Sequence, residues 1–105
     1  MKQVDRNFLD ALYLIAHYWA NLPKERLYIK EGETEKEAMA DGIVHSILVM
    51  CEGDSGANNF KRYDILQGEE LIGDDIELHS AYIQRVAYHR KLKESLNVLK
   101  DSFNK

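Results

Sequence analysis

The sequence predicts an all-α fold: a small bundle of three to four helices around a central apolar helix at about residues 34–52, with room for a short β-hairpin near 61–72. Three observations predict it. Apolar residues recur at three- and four-residue steps over residues 3–21. A capping box at Thr34 opens a long apolar segment that ends at Gly53. A further apolar stripe runs from Tyr82 to Phe103.

The first helix follows from Val4, Phe8, Ala11, Leu12, Ile15, Tyr18, Trp19 and Leu22, which share one face at the helical period. Asp5 stands in the first turn, where the helix dipole favours an anion. Pro23 stops the helix, because it restrains the residue before it and has no N–H. Residues 23–33 then read as a connector with at most one helical turn.

The central helix starts in "TEKEAMADG". Thr34 caps the first-turn amides and Glu37 reaches back to the amide of Thr34. The β-branched residues Ile43, Val44, Ile47 and Val49 make a strand the rival reading, but the apolar residues from Ile47 to Cys51 do not alternate. Ala38, Gly42 and Ser46 form a row of small residues, which predicts close approach of another helix with Ala16 and Ala20 as its mates.

Residues 53–73 are rich in turn chemistry, and "KRYDIL" and "EELI" flank Gln67-Gly68, which reads either as a short hairpin or as a single turn of helix, since the faces do not match cleanly across a two-residue turn. The last helix is expected to begin at Asp74 or Asp75, where "DDIE" offers a cap. Its stripe of Tyr82, Val86, Leu92, Leu96, Leu99 and Phe103 drifts around His89, so a break near 79–81 or 89–91 would split it.

The 105 residues fit a single helical domain, 1–105. The apolar run Phe8–Leu22 is interrupted by Asp10 and His17, so it reads neither as a signal peptide nor as a membrane span. With a lone cysteine as well, a cytoplasmic setting is expected. The formal net charge of -4 argues against nucleic-acid binding, which needs cations against phosphates. The basic run Arg85, Arg90, Lys91 and Lys93 reads as a solvated face, and only a local nucleic-acid contact would give it another role.

Candidate chemistry is sparse. The four residues Gly53–Gly56 resemble the nucleophile segment of trypsin-like serine proteases, with Ser55 at the nucleophile's place. The resemblance stops at Ala57, and the helical pattern and length are wrong for that scaffold. Turn formation by Gly53, Asp54, Ser55 and Asn58 accounts for the same residues. Among four histidines, His17, Asp41 and His45 are the weak metal candidates: Asp41 and His45 are one helical turn apart, and His17 could join them from the first helix. No His-Glu-x-x-His, paired-cysteine, EF-hand or phosphate-loop spacing occurs, so no cofactor is expected. Cys51, at a helix C-terminus, reads as a small core residue.

The aromatics suggest binding. Tyr13, Tyr18, Trp19, Tyr82 and Tyr88 are the candidate interface, because the first helix carries more apolar bulk than one core face can take. The expected function is therefore a small interaction protein that self-associates, as a homodimer for example, or binds a protein partner, with no membrane and no catalytic constellation. The alternative is a small metal-dependent hydrolase using His17, Asp41 and His45.

Overall fold

The structure, a computed structural model, describes residues 1–54, residues 61–92 and Ser102. Ser55, Lys93 and the stripe residues Leu96, Leu99 and Phe103 lie outside the described residues. The fold is mostly helical: α1 (Gln3–Ala20), a 3₁₀ turn (Lys24–Arg26), α2 (Glu35–Cys51), β1 (Ile65–Gln67), β2 (Glu70–Ile72) and α3 (Leu78–Lys91). Helix α2 packs against both α1 and α3, while the two strands form an antiparallel hairpin. Among the described residues no helix is long and apolar enough to cross a membrane.

Local chemistry sets the ends of α2. The Thr34 hydroxyl accepts from the Glu37 amide at 3.1 Å, and the Glu37 carboxylate accepts from the Thr34 amide at 3.0 Å. At the other end Gly53 has φ 83°, a left-handed value that a glycine adopts without strain. Its amide donates to the Met50 carbonyl and that of Asp54 to the Val49 carbonyl, the paired bonds of a Schellman cap. This closure, and not a nucleophile turn, is what Gly53 and Asp54 build.

The hairpin pairs Ile65 with Ile72, Leu66 with Leu71 and Gln67 with Glu70 across a two-residue turn in which Gly68 has φ 63°. It joins the helices through the segment before it. The Tyr63 amide donates to the Cys51 carbonyl at 2.8 Å, and the Tyr63 ring meets Phe8 edge-on at a centroid distance of 4.9 Å. The core is small: Ala11, Ile15, Met50 and Cys51, flanked by Phe8, Leu12, Trp19, Ile47, Tyr63 and Ile65. It sits between α1, the second half of α2 and the hairpin.

Three expectations are corrected. The last helix begins at Leu78, not at Asp74 or Asp75; it ends at Lys91, which is one of the two places where a break is expected. Gly73 takes φ 79° and residues 73–76 turn, so the "DDIE" acids precede the helix without capping it. The mates of the small-residue row are not Ala16 and Ala20, which are exposed. The indole of Trp19 fills the hollow over Gly42 instead, so close that a Cβ there would fall within 3.0 Å of its six-membered-ring carbons. Its Nε1–H donates to the Ser46 hydroxyl at 2.9 Å. Finally, Arg90 is not part of a solvated basic face; it is paired with three acids, as described below.

In an ordinary helix interior, replacing glycine with alanine stabilises by about 1 kcal/mol. At Gly42 the added methyl strikes the Trp19 ring, and such overpacking costs about 1–3 kcal/mol. Gly42→Ala should therefore lower the thermal midpoint by several degrees in a circular-dichroism melt. A rise in the midpoint would show that the indole is not seated there.

Candidate functional site

A cleft of about 430 Å³ opens where the end of α1, the connector, α2 and α3 meet. Trp19, Leu22, Leu27, Ala38, Ile83 and Val86 supply much of its apolar wall, and Asp41, His45 and Tyr82 are polar groups lining it. Its size falls in the range of small-molecule sites, roughly 300–1,000 Å³. The cleft exists because Trp19 lies flat over Gly42 and leaves α3 to close the other side.

One residue holds that closing side in place. The Arg90 guanidinium, late in α3, reaches across to Glu33 of the connector at 2.7 Å, to Glu37 at 3.4 Å and to Asp41 at 2.5 Å. The second oxygen of Asp41 accepts from the Tyr82 hydroxyl at 3.1 Å. Only an arginine offers this planar fork of donors to several carboxylates at once. The spacing of the acids follows from the helix: Glu37 and Asp41 are one turn apart on α2, and the connector brings Glu33 beside them.

Charge states follow from these contacts. The Glu33 side chain is 4% exposed, and burial alone would raise its pKa. The Lys30 amide and the Arg90 guanidinium outweigh that and hold the carboxyl below the usual range. The amide and hydroxyl of Thr34 hold Glu37 low. Burial, then the bond to Asp41, pushes the Tyr82 phenol up, and it stays protonated at neutral pH. Burial opposes the charge of Arg90, but its bonds to Glu33 and Asp41 prevail and raise its pKa. Groups so fixed clamp elements together and do not exchange protons near neutrality.

A second polar tie joins α2 to the start of α3. The Glu52 carboxylate accepts from the amides of Leu78 (2.8 Å) and His79 (3.0 Å), and meets His79 Nδ1 at 2.7 Å. It thus caps a helix that has no side-chain cap of its own. Glu77 lies 3.1 Å from His79 Nε2, and the His45 ring meets that of His79 edge-on at 5.3 Å. Burial works against ionised Glu52, yet the His79 ring and the two amides keep its pKa below the usual value. The bond to Glu52 raises that of His79.

The sequence candidates are distributed as follows. His17 is on the exposed side of α1, stacked on Tyr13 at 6.0 Å and in contact with the Asn21 amide. Asp41 is bound to Arg90 and Tyr82, and His45 turns to His79. No group of three or more His, Cys, Asp or Glu among the described residues is arranged to hold a metal ion. Of the aromatics, Tyr13 (66%), Tyr18 (59%) and Tyr88 (47%) are exposed, whereas Trp19 and Tyr82 are half-buried in the cleft wall. Arg85 lies 4.6 Å over the Tyr88 ring, a cation–π contact. Cys51 is buried, and burial, then the neighbouring Glu52 charge, pushes its thiol pKa up.

Sequence reasoning missed Arg90 and Glu52 as organisers of the site. Both make contacts far along the chain, and the only signal was the run of acids from Glu31 to Asp41 with few bases among them. The chain matches no protein-family model, and comparison with curated proteins and with solved structures gives no match.

Two predictions follow from the polar ties. Arg90→Met leaves Glu33 buried without its cation and should cost about 2 kcal/mol, the scale of a charged hydrogen bond, in urea unfolding. Arg90→Lys should recover less than half of that, since one ammonium cannot reach all three acids; full recovery would deny the fork a role. The tie at Glu52 makes stability depend on pH in two directions. Glu52, whose pKa is depressed, contributes fully above the ordinary glutamate value of 4.5 and loses its contribution as pH falls through its lowered pKa. His79, whose pKa is raised, contributes fully below the ordinary histidine value of 6.5 and loses its contribution as pH rises through its raised pKa. In urea midpoints measured against pH, His79→Gln should abolish the decline above 6.5 and keep the acid-side loss.

Proposed function

We propose that the protein is a non-enzymatic interaction module that self-associates through the outer face of α1, with α2 as the central helix of its bundle. One observation carries this reading: α1 has a second apolar stripe, exposed, on the side away from its buried residues.

Helix α1 exposes Val4, Leu9, Tyr13, Leu14 and Tyr18. Its inner face carries Ala11 and Ile15, which are buried. On the side away from them, Leu9, Tyr13, Ala16 and Ala20 recur at steps of four, three and four residues and are all exposed. A helix with two apolar faces is satisfied only when something covers the second. A second copy fits, because the same stripe on a two-fold-related chain is self-complementary: small Ala16 and Ala20 receive the bulk of Leu9 and Tyr13. Tyr13 is the anchor, a large rigid side chain with two soft torsions.

Size-exclusion chromatography with light scattering tests the proposal. The wild-type chain should run as a dimer that dissociates on dilution, and Leu9→Asp with Tyr13→Asp should run as a monomer of unchanged helicity. A wild-type chain that stays monomeric at millimolar concentration would end it.

A further inference from the structure

We infer that the two α1 helices of the self-associated form run antiparallel, with Asp10 of each copy paired to His17 of the other, and that acid strengthens the association. The inference deepens the self-association reading and rests on it.

The stripe Leu9, Tyr13, Ala16 and Ala20 has the alternating four- and three-residue steps of a coiled-coil seam, and one step of three before it stands Arg6. Residues flanking such a seam meet across the interface, and the direction of the helices decides which ones meet. Asp10 and His17 flank the seam on one side, one heptad apart, and Asp5 and Leu12 flank it on the other. Asp5, Arg6, Asp10 and His17 are all exposed. A parallel two-fold pair sets each seam residue against itself and each flank against the opposite flank. Arg6 would then face Arg6, and Asp5 would face Asp10 of the other copy, like charges in both places. An antiparallel pair sets Leu9 against Ala20 and Tyr13 against Ala16, bulk against small, and brings identical flanks together. Asp10 then lies across from His17, twice by symmetry. Arg6 lies beyond the end of the other helix, which stops at Ala20. The charges on α1 therefore select the antiparallel arrangement.

Both members of the pair are available. Among the described residues Asp10 has no ion-pair partner. The neighbouring Arg6 is turned to the Met1 carbonyl, to which it donates at 3.3 Å. The His17 ring stacks on Tyr13, a seam residue, and meets the Asn21 amide 3.2 Å from Nδ1. That amide also donates to the His17 carbonyl at 2.8 Å, so it keeps a partner when the ring turns to Asp10. In the pair, the charged groups facing the ring are Asp10 of the other copy and, one turn further along, Arg6 of that copy. Histidine is the side chain that changes charge between about pH 5 and 8. As an imidazolium His17 attracts Asp10, and as a neutral ring it offers a hydrogen bond alone. Association is therefore strongest on the acid side of that range and weakens as pH rises through it.

Sedimentation equilibrium at about pH 5.5 and about pH 8, on either side of the histidine range, gives the dimer dissociation constant. The wild-type chain should associate about tenfold more tightly at the lower pH, the scale of two exposed ion pairs. His17→Gln should remain a dimer and lose that difference. The response of His79 is common to both proteins and drops out of the comparison. Asp10→Lys reads the direction of the helices: at the lower pH it should weaken association, because it faces His17, whereas in a parallel pair it would face Asp5 and strengthen association. A wild-type dimer of equal strength at both pH values overturns the inference and leaves self-association standing. So does a His17→Gln dimer that keeps the difference, or an Asp10→Lys dimer tighter than the wild type. A chain that is monomeric throughout ends self-association itself, and this inference with it.

Discussion

The seat of Trp19 on Gly42 is the contact on which the rest of this molecule depends. It sets how closely α1 approaches α2, since an indole lies against bare backbone where any other residue would present a Cβ. It fixes the rotation of α1 as well, because the indole N–H is committed to Ser46. With that rotation set, Ala11 and Ile15 fall onto Met50 and Cys51, and Leu9 and Tyr13 are left outside. The cleft is the space this arrangement leaves beyond the indole. A glycine that weakens its own helix by about 1 kcal/mol is thus a structural requirement of the α1–α2 contact.

Helix α3 is attached by a different kind of force. None of its residues is buried, so it has no apolar face deep enough to fix it by burial. Polar side chains hold it at both ends. Glu52 takes the amides at its start, and Arg90 reaches three acids near its finish. Such bonds are directional, whereas hydrophobic contact is not. They specify where α3 lies with little help from the core. The cleft is accordingly apolar on the α1 side and bounded on the α3 side by the clasp of Arg90 on its three acids.

Much of this was legible in the sequence where the cause is local. Thr34 and Glu37 announce the start of α2 and Gly53 its end, because capping bonds span only three or four residues. The hairpin around Gly68 was legible only as one of two readings, the other being a single turn of helix. The start of α3 was not. "DDIE" has the composition of a cap, but the carboxylate that serves these amides stands 26 residues earlier. The row Ala38, Gly42 and Ser46 predicted a close approach and could not say what approaches, since a ridge of alanines and one flat indole leave the same imprint on the opposite helix. Arg90 looked like one more solvated base because its partners lie 49 to 57 residues away. Of the candidate site, the aromatics and Asp41 were visible, whereas the pairing of Arg90 with its three acids was a property of the fold alone.

The position of Glu52 makes the stability of one helix depend on the other. A helix start without a cap of its own leaves open amides, and opening the first turn costs more than extending it. Here the missing acceptor becomes available only when α2 has wound to its last turn and Gly53 has turned the chain. The first turn of α3 is thereby coupled to the end of α2, and a peptide cut out around α3 would lack the carboxylate its first turn leans on. The end of one rod thus serves as the mould for the beginning of the next.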